Sequence, residues 1–300
     1  MSNRLRARLA PAAIALLLGG CALQLQPVAD FGGAASRVAA TYKPFGPGIA
    51  ASCEQRERYI ALGGAGAFDD AVAQRAAATK CAPLKEAGAT AALFGQALAD
   101  YASALAKASG AKATAFDGDI KDISGAAAKL ANKDGTPVFD STKLGAAAKI
   151  ARAAAALALE GRQQALTRET LRDNADALKT VVDAMKSYAG SVYAGQLADT
   201  RDIMAGELQR LVAASNAPAQ GDVEAKLPWR FAQATVRADI AANELEARHV
   251  RDFAKTADAL LAAHAELIAD FDKIGGARRL ELVAAFVAEV KALADDAAAL

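Results

Sequence analysis

Two runs of apolar residues, spaced alternately four and three apart, set the narrowest limit on what this chain can fold into. Leu171, Ala175, Leu178, Val182, Met185, Ala189 and Val192 form the first. Phe253, Ala257, Leu260, His264, Leu267, Phe271 and Ile274 form the second. Such a heptad seam lays one stripe along a helix and asks for a partner helix over many turns. After Val192 the first seam shifts by one residue, to Tyr193, Leu197, Met204, Leu208 and Leu211, as a stutter would produce. A linker at 215–227, containing Asn216-Ala217-Pro218 and Gly221, separates the runs, and Pro228 is placed to open the second helix at its first turn. Two helices of roughly 40 residues, each about 60 Å long, predict an antiparallel hairpin.

Composition agrees with long, closely packed helices. Hydrophobic residues make up 53% of the chain but aromatics only 5%. Alanine therefore carries much of the apolar count, and it is the best helix former but a poor core filler. No alternating strand pattern is present. Further helices are predicted near 28–42, 49–62, 67–80, 83–109, 117–132 and 277–298. Lys43-Pro44-Phe45-Gly46-Pro47-Gly48, Gly63-Gly64 and Pro83 serve as breaks. Asp140 or Ser141 is placed to cap the helical run that follows, itself broken near 161–170. The predicted fold class is all-α, an elongated antiparallel helical bundle with a long coiled-coil-like hairpin. Residues 29–135 form a region of shorter helices, and residues 136–300 the hairpin plus a C-terminal helix.

The N-terminus carries an address. Arg4, Arg6 and Arg8 precede a short apolar core, Leu9 to Leu18, and then Leu18-Gly19-Gly20-Cys21. A positive region, a short apolar core and small residues compose a secretory signal. The core is roughly half the length of about 20 residues needed for a membrane span. Leu18-Gly19-Gly20-Cys21 resembles the lipobox of bacterial lipoproteins. The resemblance implies that residues 1–20 are a signal peptide and that Cys21 receives diacylglyceryl and acyl chains such as palmitate. Residues 21–28 are then a membrane tether. Ala22, in place of Asp, favours the outer membrane under the enterobacterial sorting rule. The membrane is thus an expected partner through the N-terminal lipid.

Loss of the first twenty residues removes three arginines and no acid, leaving a net charge of about −2 from 35 basic and 34 acidic residues. No strong field exists to recruit nucleic acid or anionic lipid. Beside Cys21 the chain has Cys53 and Cys81. In an oxidising compartment an even pair reads as a disulfide, here stapling the shorter helices. The other readings are a redox pair, which is usually closer in sequence, or half of a metal site, for which no neighbouring His or Cys completes the set.

Only two histidines are present. His264 lies on the second seam, where it is either a ligand or a core-edge histidine bonded to a facing helix; the second reading is favoured. Glu246 and His249 have the Glu-x-x-His spacing of di-iron bundles. That site needs a second such motif, and Leu261 occupies the place of its glutamate. No nucleophile elbow, phosphate loop or dinucleotide fingerprint occurs, so no cofactor, metal or catalytic residue is assigned. Trp229 reads as an anchor of the hairpin turn, with contact to a partner as the other reading. The expected function is that of a lipid-anchored envelope scaffold, adaptor or protein-binding module, not an enzyme. The second class is a carrier or sensor of a small apolar ligand in the bundle core.

Overall fold

A computed structural model describes residues 25–64, 66–109, 129–132, 135–160, 164–216, 223–273 and 280–298. The signal segment, Cys21, residues 22–24 of the tether, most of the helix expected at 117–132 and the core of the 215–227 linker lie outside them. The fold is an all-α bundle. Among the described residues the one β-type pairing is a bridge between Ala131 and Pro137, closed by Val138 N–H donating to the Leu130 carbonyl at 2.8 Å.

The helices are α1 (Gln26–Tyr42), α2 (Phe45–Leu62), α3 (Asp70–Ala108), α4 (Ser141–Glu160), α5 (Gln164–Asp173), α6 (Ala175–Ser187), α7 (Ala194–Asn216), α8 (Val223–Asp270) and α9 (Glu281–Ala298). Asp140 caps α4 by accepting from Lys143 N–H at 2.9 Å, so the expected start of that helix holds.

Three boundaries differ from the sequence expectation, each for a local reason. The Pro-Gly segment after α1 breaks the chain only at Lys43-Pro44. Gly46, Pro47 and Gly48 form the first turn of α2, where backbone N–H groups have no intrahelical acceptor and a proline costs nothing. Pro83 does not restart a helix; it lies inside α3. The carbonyl of Thr79 loses its usual donor there, and tertiary packing holds the helix through the gap. Pro228 likewise lies inside α8, not at its opening.

The shift in the first seam is also something other than a stutter. Between α6 and α7, residues Tyr188–Tyr193 form a π-helical segment. Such a segment inserts one extra residue in a turn. Each residue turns an α-helix by about 100°, so an extra residue absorbed in place keeps both halves of the seam facing inward. Met185, Tyr188, Ala189, Tyr193, Leu197 and Met204 are accordingly all buried.

The hairpin is antiparallel. Gln233 reaches Ser215 Oγ at 3.0 Å, Tyr193 reaches Glu246 at 3.2 Å, and Lys186 pairs with Asp258. As residue number rises on one arm it falls on the other. The first two helices run alongside α8 in the same opposed sense, with Phe31 against His264 and Phe45 against Phe253. One continuous apolar cluster, from Leu25 to Val290, crosses from the shorter helices into the hairpin. At its centre Tyr42, Phe45, Tyr188 and Phe253 pack with ring centroids 5.1–6.2 Å apart.

Small residues let α3 approach its neighbours. A Cβ added at Gly46 would lie 2.7 Å from the Gly88 carbonyl oxygen, and one at Gly32 would lie 2.6 Å from that of Ala102. These are backbone-to-backbone contacts that a side chain would prevent.

Candidate functional site

Cys53 on α2 and Cys81 on α3 form a disulfide, with Cα atoms 5.9 Å apart, within the usual 4.4–6.8 Å. It staples the middle of α2 to the antiparallel α3 at a point well inside that helix, and the Glu57–Lys80 ion pair at 2.6 Å lies beside it.

His264 is 3% exposed. It shares a 3.0 Å hydrogen bond between Nε2 and the Tyr101 hydroxyl of α3. Burial lowers its pKa to about 4, so the ring is neutral at ordinary pH. This is the core histidine bonded to a facing helix that the seam position suggested. Among the described residues no group of three or more His, Cys, Asp or Glu side chains is placed to hold a metal.

Glu246 and His249 do lie close, at 3.8 Å, but Glu246 also accepts from Tyr193 at 3.2 Å. Burial and then Glu246 hold the Tyr193 hydroxyl well above its ordinary pKa. Tyr193 reaches this position because Gly48 has no side chain; a Cβ there would collide with its hydroxyl.

Glu246 lines an open cleft of about 920 Å³ that runs over α2, between α3 and α8. From α8 it receives Asp239, Ala242, Asn243 and Glu246; from α2 it receives Glu54 and Arg58. Asp239 accepts from the Tyr59 hydroxyl at 2.6 Å. Arg58 reaches Asp70 at 3.5 Å. Beneath the cleft Ser52 and Thr200 share a buried 2.9 Å hydrogen bond. Pro44, Pro47, Ala51, Ala77 and Leu197 supply apolar patches. The cleft is solvent-open and carries carboxylates, which suits a polar guest better than an apolar one enclosed in the core.

The second surface of interest is an end of the bundle. Ile60, Leu62 and Phe68 stand at the turn from α2 to α3, and Leu227, Trp229 and Phe231 at the start of α8; all are exposed, Phe231 by 67%. The two sets lie toward the same end, since Arg210 of the hairpin approaches the Leu62 carbonyl at 3.5 Å. Trp229, expected to anchor the hairpin turn, is instead 39% exposed. Pro228 and Trp229 lie inside α8, beyond its first turn.

No described helix is long and apolar enough to cross a membrane. Comparison with protein-family models, curated proteins and solved structures finds no match for this chain.

Proposed function

We propose that this chain is a lipid-anchored lipoprotein of the outer membrane that acts as a scaffold or adaptor, presenting its far helical end to an envelope protein. The observation that carries this reading is the separation of its two ends. Phe31 packs on His264 and Tyr42 on Phe253, so the start of α1 stands level with the end of α8. Leu25 is the first described residue; a chain from Cys21 to it spans at most about 14 Å. From there to Phe231, α8 extends about 60 Å at 1.5 Å per residue. Lipid at Cys21 therefore holds one end at the bilayer, while Trp229, Phe231 and Leu62 stand at the other.

Contiguous exposed aromatic and aliphatic side chains mark interaction surfaces on soluble folds, and aromatic residues carry much of the energy of protein interfaces. A photoreactive residue at position 231, introduced in cells, is expected to give a discrete adduct with an envelope protein. The adduct should disappear with Trp229→Asp, and the same probe at exposed position 282, near the tethered end, should not give it. Equal labelling from both positions, or adducts with lipid alone, would count against the proposal.

A further inference from the structure

Asn243 is 6% exposed, yet it makes no hydrogen bond with any described residue and lines the cleft. It stands on the helical stripe Val236, Ile240, Asn243, Ala247, Val250, at a place where an apolar residue would continue the seam. Its amide atoms are not fully enclosed, so their unused hydrogen-bonding capacity opens onto the recess. A seam asparagine that only sets helix register normally bonds across to its partner helix. This one faces the recess instead, with Asp239 one turn before it and Glu246 one turn after. Across the floor Glu54 has no ion pair among the described residues. Three carboxylates face one guanidinium, that of Arg58, which is drawn aside toward Asp70.

We infer that the cleft is a binding site for an organic cation: an alkylammonium or guanidinium group carried on an aliphatic chain. Glu54 and Glu246 would accept from its N–H donors, and the Asn243 carbonyl oxygen, open to the recess, would take a further one. Charge-assisted bonds of this kind are the stronger class. Pro47, Ala51 and Leu197 provide apolar surface for the stem. The cleft volume of about 920 Å³ falls within the 300–1,000 Å³ typical of small-molecule sites. The inference stands on the cleft alone and is independent of the membrane-anchor reading. Two sources supply this chemistry, a free polyamine and a basic side chain of a peptide.

Isothermal titration of the full chain in mild detergent at low salt separates them, with spermidine in one arm and a doubly capped lysine-rich peptide in the other. Saturable one-to-one binding of either probe is expected, weakened at least tenfold by Asn243→Leu and by Glu54→Gln with Glu246→Gln. Glu244→Gln, on the same helix but outside the cleft, should bind as the parent does. Unchanged helical circular dichroism qualifies each variant; Glu54→Gln alone, on a half-exposed residue, serves if the double variant fails to fold. Absence of saturable binding in both arms, or undiminished affinity in Asn243→Leu, would overturn the inference.

Discussion

The hydroxyl of Tyr101 lies 3.0 Å from Nε2 of His264, joining α3 to α8 at a level where Phe31 covers the imidazole. The bond ties the 39-residue α3 to the hairpin through the one polar side chain in the second seam. Burial holds the imidazole pKa at about 4, against about 6.5 in an unfolded chain. The unfolded state therefore binds the extra proton first as pH falls. Stability from this residue is complete above about pH 6.5 and is lost progressively down to pH 4, by on the order of 3 kcal/mol.

Asp100 acts in the opposite direction. Burial pushes its carboxyl up to about 6, against the Gln96 hydrogen bond, so its contribution favours folding at low pH and fades as pH rises through 6. A variant comparison isolates the histidine. His264→Leu should be less stable than the parent at pH 7, by about 1–3 kcal/mol for the orphaned Tyr101 hydroxyl. The gap should close or reverse at pH 4. Urea unfolding at the two pH values measures it, and a constant gap would show that His264 does not titrate as described.

Reducing the Cys53–Cys81 disulfide frees a loop closed over a sequence separation of 28, which the chain-entropy relation values at roughly 3–4 kcal/mol. Cys53→Ser with Cys81→Ser should lower the urea midpoint by a corresponding amount and leave the helical content unchanged. An unshifted midpoint would mean that packing across Gly46 and Gly88 alone holds α2 on α3.

The close approach of those helices makes its own forecast. Gly88→Ala would drive a methyl into the backbone of Gly46, and prising the helices apart should cost about 1–3 kcal/mol or more. Gly145 in α4 meets nothing within 4 Å, so Gly145→Ala should gain about 0.5–1 kcal/mol. Thermal unfolding of the pair reads both signs.

Deleting Gly190, in the π-helical segment, should convert that turn to α-helix and leave both halves of the seam facing the core. Deleting Gly206, exposed in α7, has no extra residue to absorb it and rotates everything beyond by about 100°. The first deletion should fold cooperatively; the second should lose the cooperative transition. Circular dichroism melts distinguish them.

These residues also show how far the sequence could be read. The heptads foretell a long antiparallel hairpin because two such stripes, joined by a linker of about a dozen residues, can cover each other by folding back. Cys53 and Cys81 paired as compartment and parity suggested, and the seam position of His264 foretold its burial. Proline and glycine positions misled. Pro83 and Pro228 are strong local breakers, but α3 and α8 are held by contacts far away in the chain, and local rules do not see those. A second seam begun at Phe253 stops short of the cleft, so the heptad reading does not reach it. Its earlier part, Val236 to Val250 with Asn243 in its midst, carried the signal: a polar residue at an apolar place in a helical stripe.

The most direct test concerns where the far end stands. With the lipidated protein anchored in vesicles that carry acceptor dye at the lipid headgroups, a donor fluorophore is placed at position 231 or at position 282. Transfer should be efficient from 282 and close to nil from 231, in keeping with a separation of about 60 Å along α8. Efficient transfer from 231, or loss of membrane binding in neither the parent nor Cys21→Ser, would contradict a tether at one end and a presented surface at the other.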